Sequence, residues 1–171
     1  VEAFHGTSLD RAKESVRKGQ LRASENVWDW LGHGVYFWEG SPTRALQWAE
    51  EKYGSQAAVV KATVHLGHSI DLCDPRWAPT LQVVYERMAR AHRKLKTPLP
   101  ENRGGNHALD CAVVNMLCED YYQADTVRAP FIEGRPIFPG SMLYDLSHIQ
   151  IVVRNAKMIE GPLEIVSQMG E

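Results

Sequence analysis

The chain has 171 residues, 44% apolar and 23% charged, with a formal net charge of −2. The length suits one compact domain with a full core, and the whole of 1–171 reads as a single domain. The near-balanced charge excludes a global field that would call for nucleic acid or an anionic membrane, and no apolar run is long enough for a membrane span.

In chain order, Glu2–Gly6 reads as a short strand that ends on His5-Gly6. Thr7 or Ser8 then caps a helix through Lys18, with Leu9, Ala12 and Val16 on one face and Gly19 as its stop. Leu21–Ala23 and Val35–Trp38 read as strands. Ser41 and Pro42 open a second helix whose apolar side is Ala45, Leu46, Trp48 and Ala49. Ala57–Leu66, β-branched and alternating, is expected as a central strand. Leu81–Leu95 has helical period, with Leu81, Val84, Tyr85, Met88 and Leu95 inward, and Pro98 and Pro100 end it. A loop over Leu99–His107 precedes a helix over Ala108–Tyr122. Ala129–Leu146 is expected as a long irregular loop, and Ile149–Val153 as the last clear strand. Short strands mixed with helices, without βαβ alternation, argue for an α+β fold.

Three cysteines, Cys73, Cys111 and Cys118, form neither a disulfide frame nor a C-x-x-C pair. A secreted disulfide scaffold and a zinc site are therefore not expected. The start of the chain carries no charged-then-apolar leader pattern, and the expected compartment is the cytoplasm.

Three short segments carry chemistry. In Phe4-His5-Gly6-Thr7, a His at a strand end can offer its ring to a hydroxyl, and the Gly lets a flat ligand approach the backbone. In Gly32-His33-Gly34-Val35-Tyr36-Phe37, two glycines let the chain turn tightly and aim Tyr36, whose face can stack on an electron-poor ring. This is no dinucleotide fingerprint, because Phe37 stands where the third Gly belongs. In Ser147-His148-Ile149-Gln150-Ile151-Val152-Val153-Arg154-Asn155, Gln150 is a polar side chain in an apolar strand and needs a partner. Taken singly, each segment also reads as an ordinary turn, core or structural hydrogen bond.

Together and in this order, the segments resemble the His, Tyr and Glu motifs of the diphtheria-toxin-like ADP-ribosyltransferases, the branch that holds the poly(ADP-ribose) polymerases. Lys18-Gly19-Gln20-Leu21-Arg22 is similar to that family's "GLR" segment, and Ser41–Trp48 to its small-residue helix. The resemblance covers the beginning of the chain and the Gln150 strand; the middle, roughly 55–130, carries none of it. It implies a split central β-sheet core flanked by helices and an enzyme that uses NAD+ as co-substrate without a metal. In that reading His5 bonds a hydroxyl of the nicotinamide-side ribose, and Gly6 pairs its backbone with the carboxamide. Thr7 and Gly34 adjoin the ligand, Tyr36 stacks on nicotinamide, and Arg22 approaches the adenosine or phosphate side. Gln150 stands where the family has its catalytic Glu. An amide can bond a ribose hydroxyl but cannot act as a base, so a native Gln suits single transfer rather than polymer formation, and an engineered Glu→Gln change is the alternative reading. Glu133 and Asp145 are the nearby loop carboxylates that could substitute for it.

The loop before the Gln150 strand usually contacts the acceptor in this family, which marks Arg128, Glu133, Arg135 and Tyr144 for target recognition. Arg87, Arg90, Arg93, Lys94, Lys96 and Arg103 form the densest basic stretch, and favour an RNA or DNA acceptor slightly over protein. Trp28 and Trp30 either line the NAD+ cleft or pack in the core. A small transferase of this kind is similar to a bacterial toxin or phage-defence effector, which implies a neutralising antitoxin or immunity protein and no membrane partner. The rival readings are an NAD+ glycohydrolase and a non-catalytic NAD or ADP-ribose binding module.

Overall fold

The computed structural model describes residues 1–168, an α+β arrangement on one mixed seven-stranded sheet with helices on both faces. β1 (Glu2–Ser8) runs directly into α1 (Leu9–Lys18), and β2 (Val35–Glu39) is followed by α2 (Pro42–Tyr53). β3 (Ala57–Val64) and the short β4 (Ser69–Asp71) lead to α3 (Ala78–Leu95). A small hairpin, β5 (Asn102–Arg103) with β6 (Asn106–His107), precedes α4 (Ala108–Met116). β7 (Thr126–Phe131), β8 (His148–Val153) and β9 (Ile159–Gln168) complete the chain. Across the sheet the order is β4-β7-β8-β2-β1-β3-β9. β4 and β7 pair in parallel, and the other ladders of this sheet are antiparallel.

Strand alternation divides the core. Ala3, Phe37, Val60, Ile151 and Val153 pack beneath Ala12 of α1, with Leu21 and Leu163 beside them. On the opposite face Phe4, Trp38 and Val59 meet Ala45 of α2. Farther along that face Val127, Ala129 and Val152 meet Val84 and Met88 of α3 and Val113 and Val114 of α4. Each large side chain buried in this way contributes about 1.5–3 kcal/mol.

Several elements depart from the sequence expectation. Leu21–Ala23 forms no strand; Leu21 is buried and the following Ser24 makes an isolated bridge to Gly34. The loop expected from Ala129 begins only after Phe131, because residues Thr126–Phe131 are a strand between β4 and β8. Pro130 is tolerated there because β4 reaches only as far as Arg128, so no neighbour on that side asks for its missing N–H. β9 follows the strand expected to be last; of its two register shifts against β3, the one between Glu160 and Glu164 accommodates Gly161 and Pro162 at the sheet edge. α4 gives way to a π-helical turn over Leu117–Tyr122. In α3, Val84 and Met88 face the core, but Tyr85 is exposed and Leu95 is 71% exposed. No helix among the described residues is long and apolar enough to cross a membrane.

Candidate active site

The ladder between β1 and β2 is short. β1 pairs with β3 along its whole length, from Glu2↔Thr63 to Ser8↔Ala57, but with β2 only at Ala3↔Glu39 and Phe4↔Trp38. A main-chain bond from Gly40 N–H to the Glu2 oxygen closes one end of this seam. At the other end the His5 side chain takes over, with Nδ1 2.8 Å from the Tyr36 main-chain oxygen. A carbonyl oxygen only accepts, so Nδ1 carries the proton and Nε2 presents a lone pair. Burial holds the His5 imidazole below its ordinary titration range, and the Lys52 and Arg11 cations add to the effect. His5 is therefore a neutral acceptor at the point where the two strands part.

The motif positions meet on three adjacent strands. Phe4, Trp38 and Gln150 form one registered row across β1, β2 and β8. Tyr36 pairs with Val152, which makes Gln150 its diagonal neighbour on the same face, about 7–8 Å away between Cα atoms. His5 reaches the seam from the other face, its ring edge against Phe37 at 5.9 Å. Thr7 is buried beside Ala58 at the far end of β1.

The two glycine segments serve packing that sequence reasoning assigned to a ligand. A Cβ on Gly6 would overlap the Ala45 carbonyl oxygen, so the close approach that this glycine permits on the α2 face is that of the helix. Gly34, at φ 150°, bonds Ser24 through both main-chain groups, and a Cβ there would lie 2.6 Å from the Val153 oxygen. The Tyr36 hydroxyl is also occupied: it donates to the Gly32 oxygen at 2.8 Å and accepts from Leu31 N–H at 3.0 Å. Burial raises its phenol well above the ordinary range, and the Asp29 carboxylate adds to this. Tyr36 thus pins the loop in front of it. Asn115 and Arg154 hold the same loop from behind: Asn115 Oδ1 accepts from His33 N–H at 2.9 Å and from Arg154 Nη1 at 2.7 Å.

Gln150 is 9% exposed, and each end of its amide has a partner within the protein. Trp30 Nε1–H donates to its Oε1 at 2.7 Å, and its Nε2 lies 2.9 Å from His148 Nε2. His148 Nδ1 in turn lies 2.6 Å from the Leu146 oxygen. Phe131 packs against both aromatic partners, 4.6 Å from the Trp30 ring and 5.5 Å from the His148 ring.

The candidate recognition residues have different fates. Glu133 accepts from Arg44 Nη2 of α2 at 2.8 Å and stands 3.9 Å from His148 Nδ1, which puts a carboxylate beside the Gln150 network. Arg128 points to the opposite face of the sheet. Glu39 binds it at 2.5 and 3.1 Å and Asp71 at 3.1 and 3.2 Å, so its guanidinium is bound within the protein rather than presented to an acceptor. Arg135 and Tyr144 flank a turn closed by the Pro136↔Tyr144 bridge, with Asp145 Oδ1 accepting from Arg135 N–H at 2.8 Å. Arg22 is exposed and makes no ion pair among the described residues. Sequence reasoning missed His148 as a partner and Arg44 as a buried cation at 6% exposure. The i, i+2 spacing of His148 and Gln150 on one strand was the available signal for the first; nothing local marked the second. Compared with known proteins, the chain matches no family model, no curated protein and no solved structure.

Proposed function

We propose that the chain binds NAD+ at the open end of the β1–β2 seam, cleaves its nicotinamide–ribose bond and transfers a single ADP-ribose to a macromolecule. The observation that carries this reading is the His5 bridge to Tyr36 where the ladder stops, with Gln150 diagonal to Tyr36 on the next strand. A ligand touching all three positions enters edge-on to the sheet. Neutral His5 accepts a hydrogen bond from a ribose hydroxyl at Nε2, the Gln150 amide bonds the neighbouring hydroxyl, and the Tyr36 ring supplies an apolar face for nicotinamide. The C–N electron pair leaves with nicotinamide as positive charge develops on the ribose, and the acceptor then bonds the anomeric carbon and releases its proton to solvent water. The rate gain comes from positioning and electrostatics, with no base at position 150.

The acceptor class we favour is nucleic acid. Arg87 of α3 lies 5.3 Å over the exposed Tyr121 ring, which gives the basic stretch an aromatic neighbour that the sequence did not reveal. By analogy of type, the domain acts as a bacterial toxin or defence effector held in check by an antitoxin or immunity protein. The amide at position 150 favours, as a second reading, a non-catalytic NAD or ADP-ribose binding module.

Purified protein incubated in cell extract with labelled NAD+ tests both. Label in RNA, DNA or protein supports a transferase and names its acceptor. Label only in free ADP-ribose turns the reading into a glycohydrolase. No turnover removes the catalytic assignment and leaves the binding module.

A further inference from the structure

We infer that Trp30 and His148 are positioning residues that fix the Gln150 amide in one orientation, so that this strand position is built for an amide and not for a carboxylate. The use of that amide on a ribose hydroxyl rests on the proposed NAD+ chemistry; its orientation does not.

Donor and acceptor accounting gives the orientation from both ends. An indole N–H only donates, so the Gln150 atom 2.7 Å from Trp30 Nε1 is the oxygen. The amide nitrogen then faces His148 Nε2 at 2.9 Å, and since it only donates, Nε2 must hold a lone pair. At the far end the Leu146 carbonyl only accepts, which puts the His148 proton on Nδ1. The two ends agree on one state: Trp30 N–H to Gln150 oxygen, Gln150 N–H to His148 Nε2, His148 Nδ1–H to the Leu146 oxygen.

The surroundings keep that state. The His148 side chain is 2% exposed, and burial together with the Arg44 cation on α2 favours the neutral ring, while the Leu146 carbonyl bond and the Glu133 carboxylate on the loop after β7 oppose them. Trp38 and Phe131, which pack on the ring, carry no charge. Protonation of His148 Nε2 would set two donors against each other, and turning the amide would only move that conflict to Trp30. A carboxylate at position 150 has no hydrogen for Nε2 and is matched only by the doubly protonated ring. In the observed arrangement one N–H and one oxygen lone pair of Gln150 have no partner among the described residues.

The test is a long-range proton–nitrogen spectrum of histidine-labelled protein near neutral pH. His148 is expected as the neutral tautomer protonated at Nδ1. Gln150→Glu is expected to convert it to the doubly protonated ring under the same conditions, and Trp30→Phe to give a mixture of tautomers. A native His148 protonated at Nε2, or one unmoved by Gln150→Glu, overturns the inference. Turnover of labelled NAD+ is read on the same samples. Trp30→Phe should lower kcat on the order of tenfold, the loss of one aligned hydrogen bond, with KM within about twofold. An unchanged kcat also overturns the positioning role. Absence of turnover in the native protein overturns the NAD+ chemistry instead, and the spectra then decide the orientation alone.

Discussion

His5 and Tyr36 are joined across the sheet by a side chain rather than by a strand ladder, with Nδ1 2.8 Å from the main-chain oxygen. The contact lies just beyond the last registered pair, Phe4↔Trp38. His5→Phe keeps the bulk and the Phe37 contact but leaves the Tyr36 oxygen unpaired. It should cost about 1 kcal/mol of stability by urea titration. Under the proposed NAD+ chemistry, turnover of labelled NAD+ should fall at least tenfold; unchanged turnover would remove His5 from the site.

Acid should weaken the fold in a defined window. Burial holds both His5 and His148 below the ordinary value of 6.5, so the unfolded chain binds more protons than the folded one as pH drops through that value. The stability is fully present above about pH 6.5 and is lost as pH falls toward the folded values, at up to about 1.4 kcal/mol per group per pH unit. Urea midpoints measured from about pH 7.5 to about pH 5 should show this decline, with a shallower slope in His5→Gln. A slope that His5→Gln leaves unchanged would assign the acid sensitivity elsewhere.

Gly6→Ala should destabilise by about 1–3 kcal/mol, since the new methyl meets the Ala45 carbonyl of α2 rather than a flexible side chain. Gly105→Ala is the control: nothing lies within 4 Å of its Cβ position, and its stability should change by no more than about 0.5 kcal/mol. Thermal melting of the pair separates close packing from a general intolerance of glycine replacement.

Arg128→Ala should act on stability and not on the acceptor. Burial alone would raise the Asp71 carboxyl, but the Cys73 N–H and the Arg128 guanidinium hold it below its ordinary value. Removing the cation leaves Glu39 and Asp71 facing each other half-buried, at a cost of about 2 kcal/mol, between the exposed and buried limits. Under the proposed transferase activity, the folded variant should modify its acceptor at the native rate; a selective loss of acceptor modification would restore Arg128 to target recognition.

Asn115→Ala removes the oxygen shared by His33 N–H and Arg154, at about 1–2 kcal/mol. Its specific mark should be faster hydrogen exchange at the His33 and Leu31 amides, the loop that Tyr36 and Asn115 hold between them. Exchange that stays slow there would mean that Tyr36 alone fixes the loop.

What could be read from the sequence follows the range of the interactions. α1 and α2 carry their own stop and start signals in Gly19 and Pro42, and β2, β3 and β8 carry apolar, β-branched or aromatic runs, so these elements were legible. β7 was hidden because its polar Arg128 is matched by Glu39 and Asp71 from elsewhere in the chain, and because Pro130 is tolerated only where β4 has ended. The site divides in the same way. His5, Tyr36 and Gln150 stood out as unusual residues in short segments. Their partners did not: Trp30 reaches Gln150 across 120 positions of chain, and Arg44 reaches Glu133 across 89.

The abbreviated β1–β2 ladder makes the sheet two plates sharing one short hem. β1, β3 and β9 form one plate, and β2, β8, β7 and β4 the other. Each is broadly laced within itself, yet the rungs between them lie at one end, near Ala3 and Phe4. Torque between the plates would concentrate on the hem, and the free margin beside Gly6 and Thr7 would widen or narrow with the smallest rotation. The sheet is therefore stiff within each plate and most compliant along the line where His5 stands.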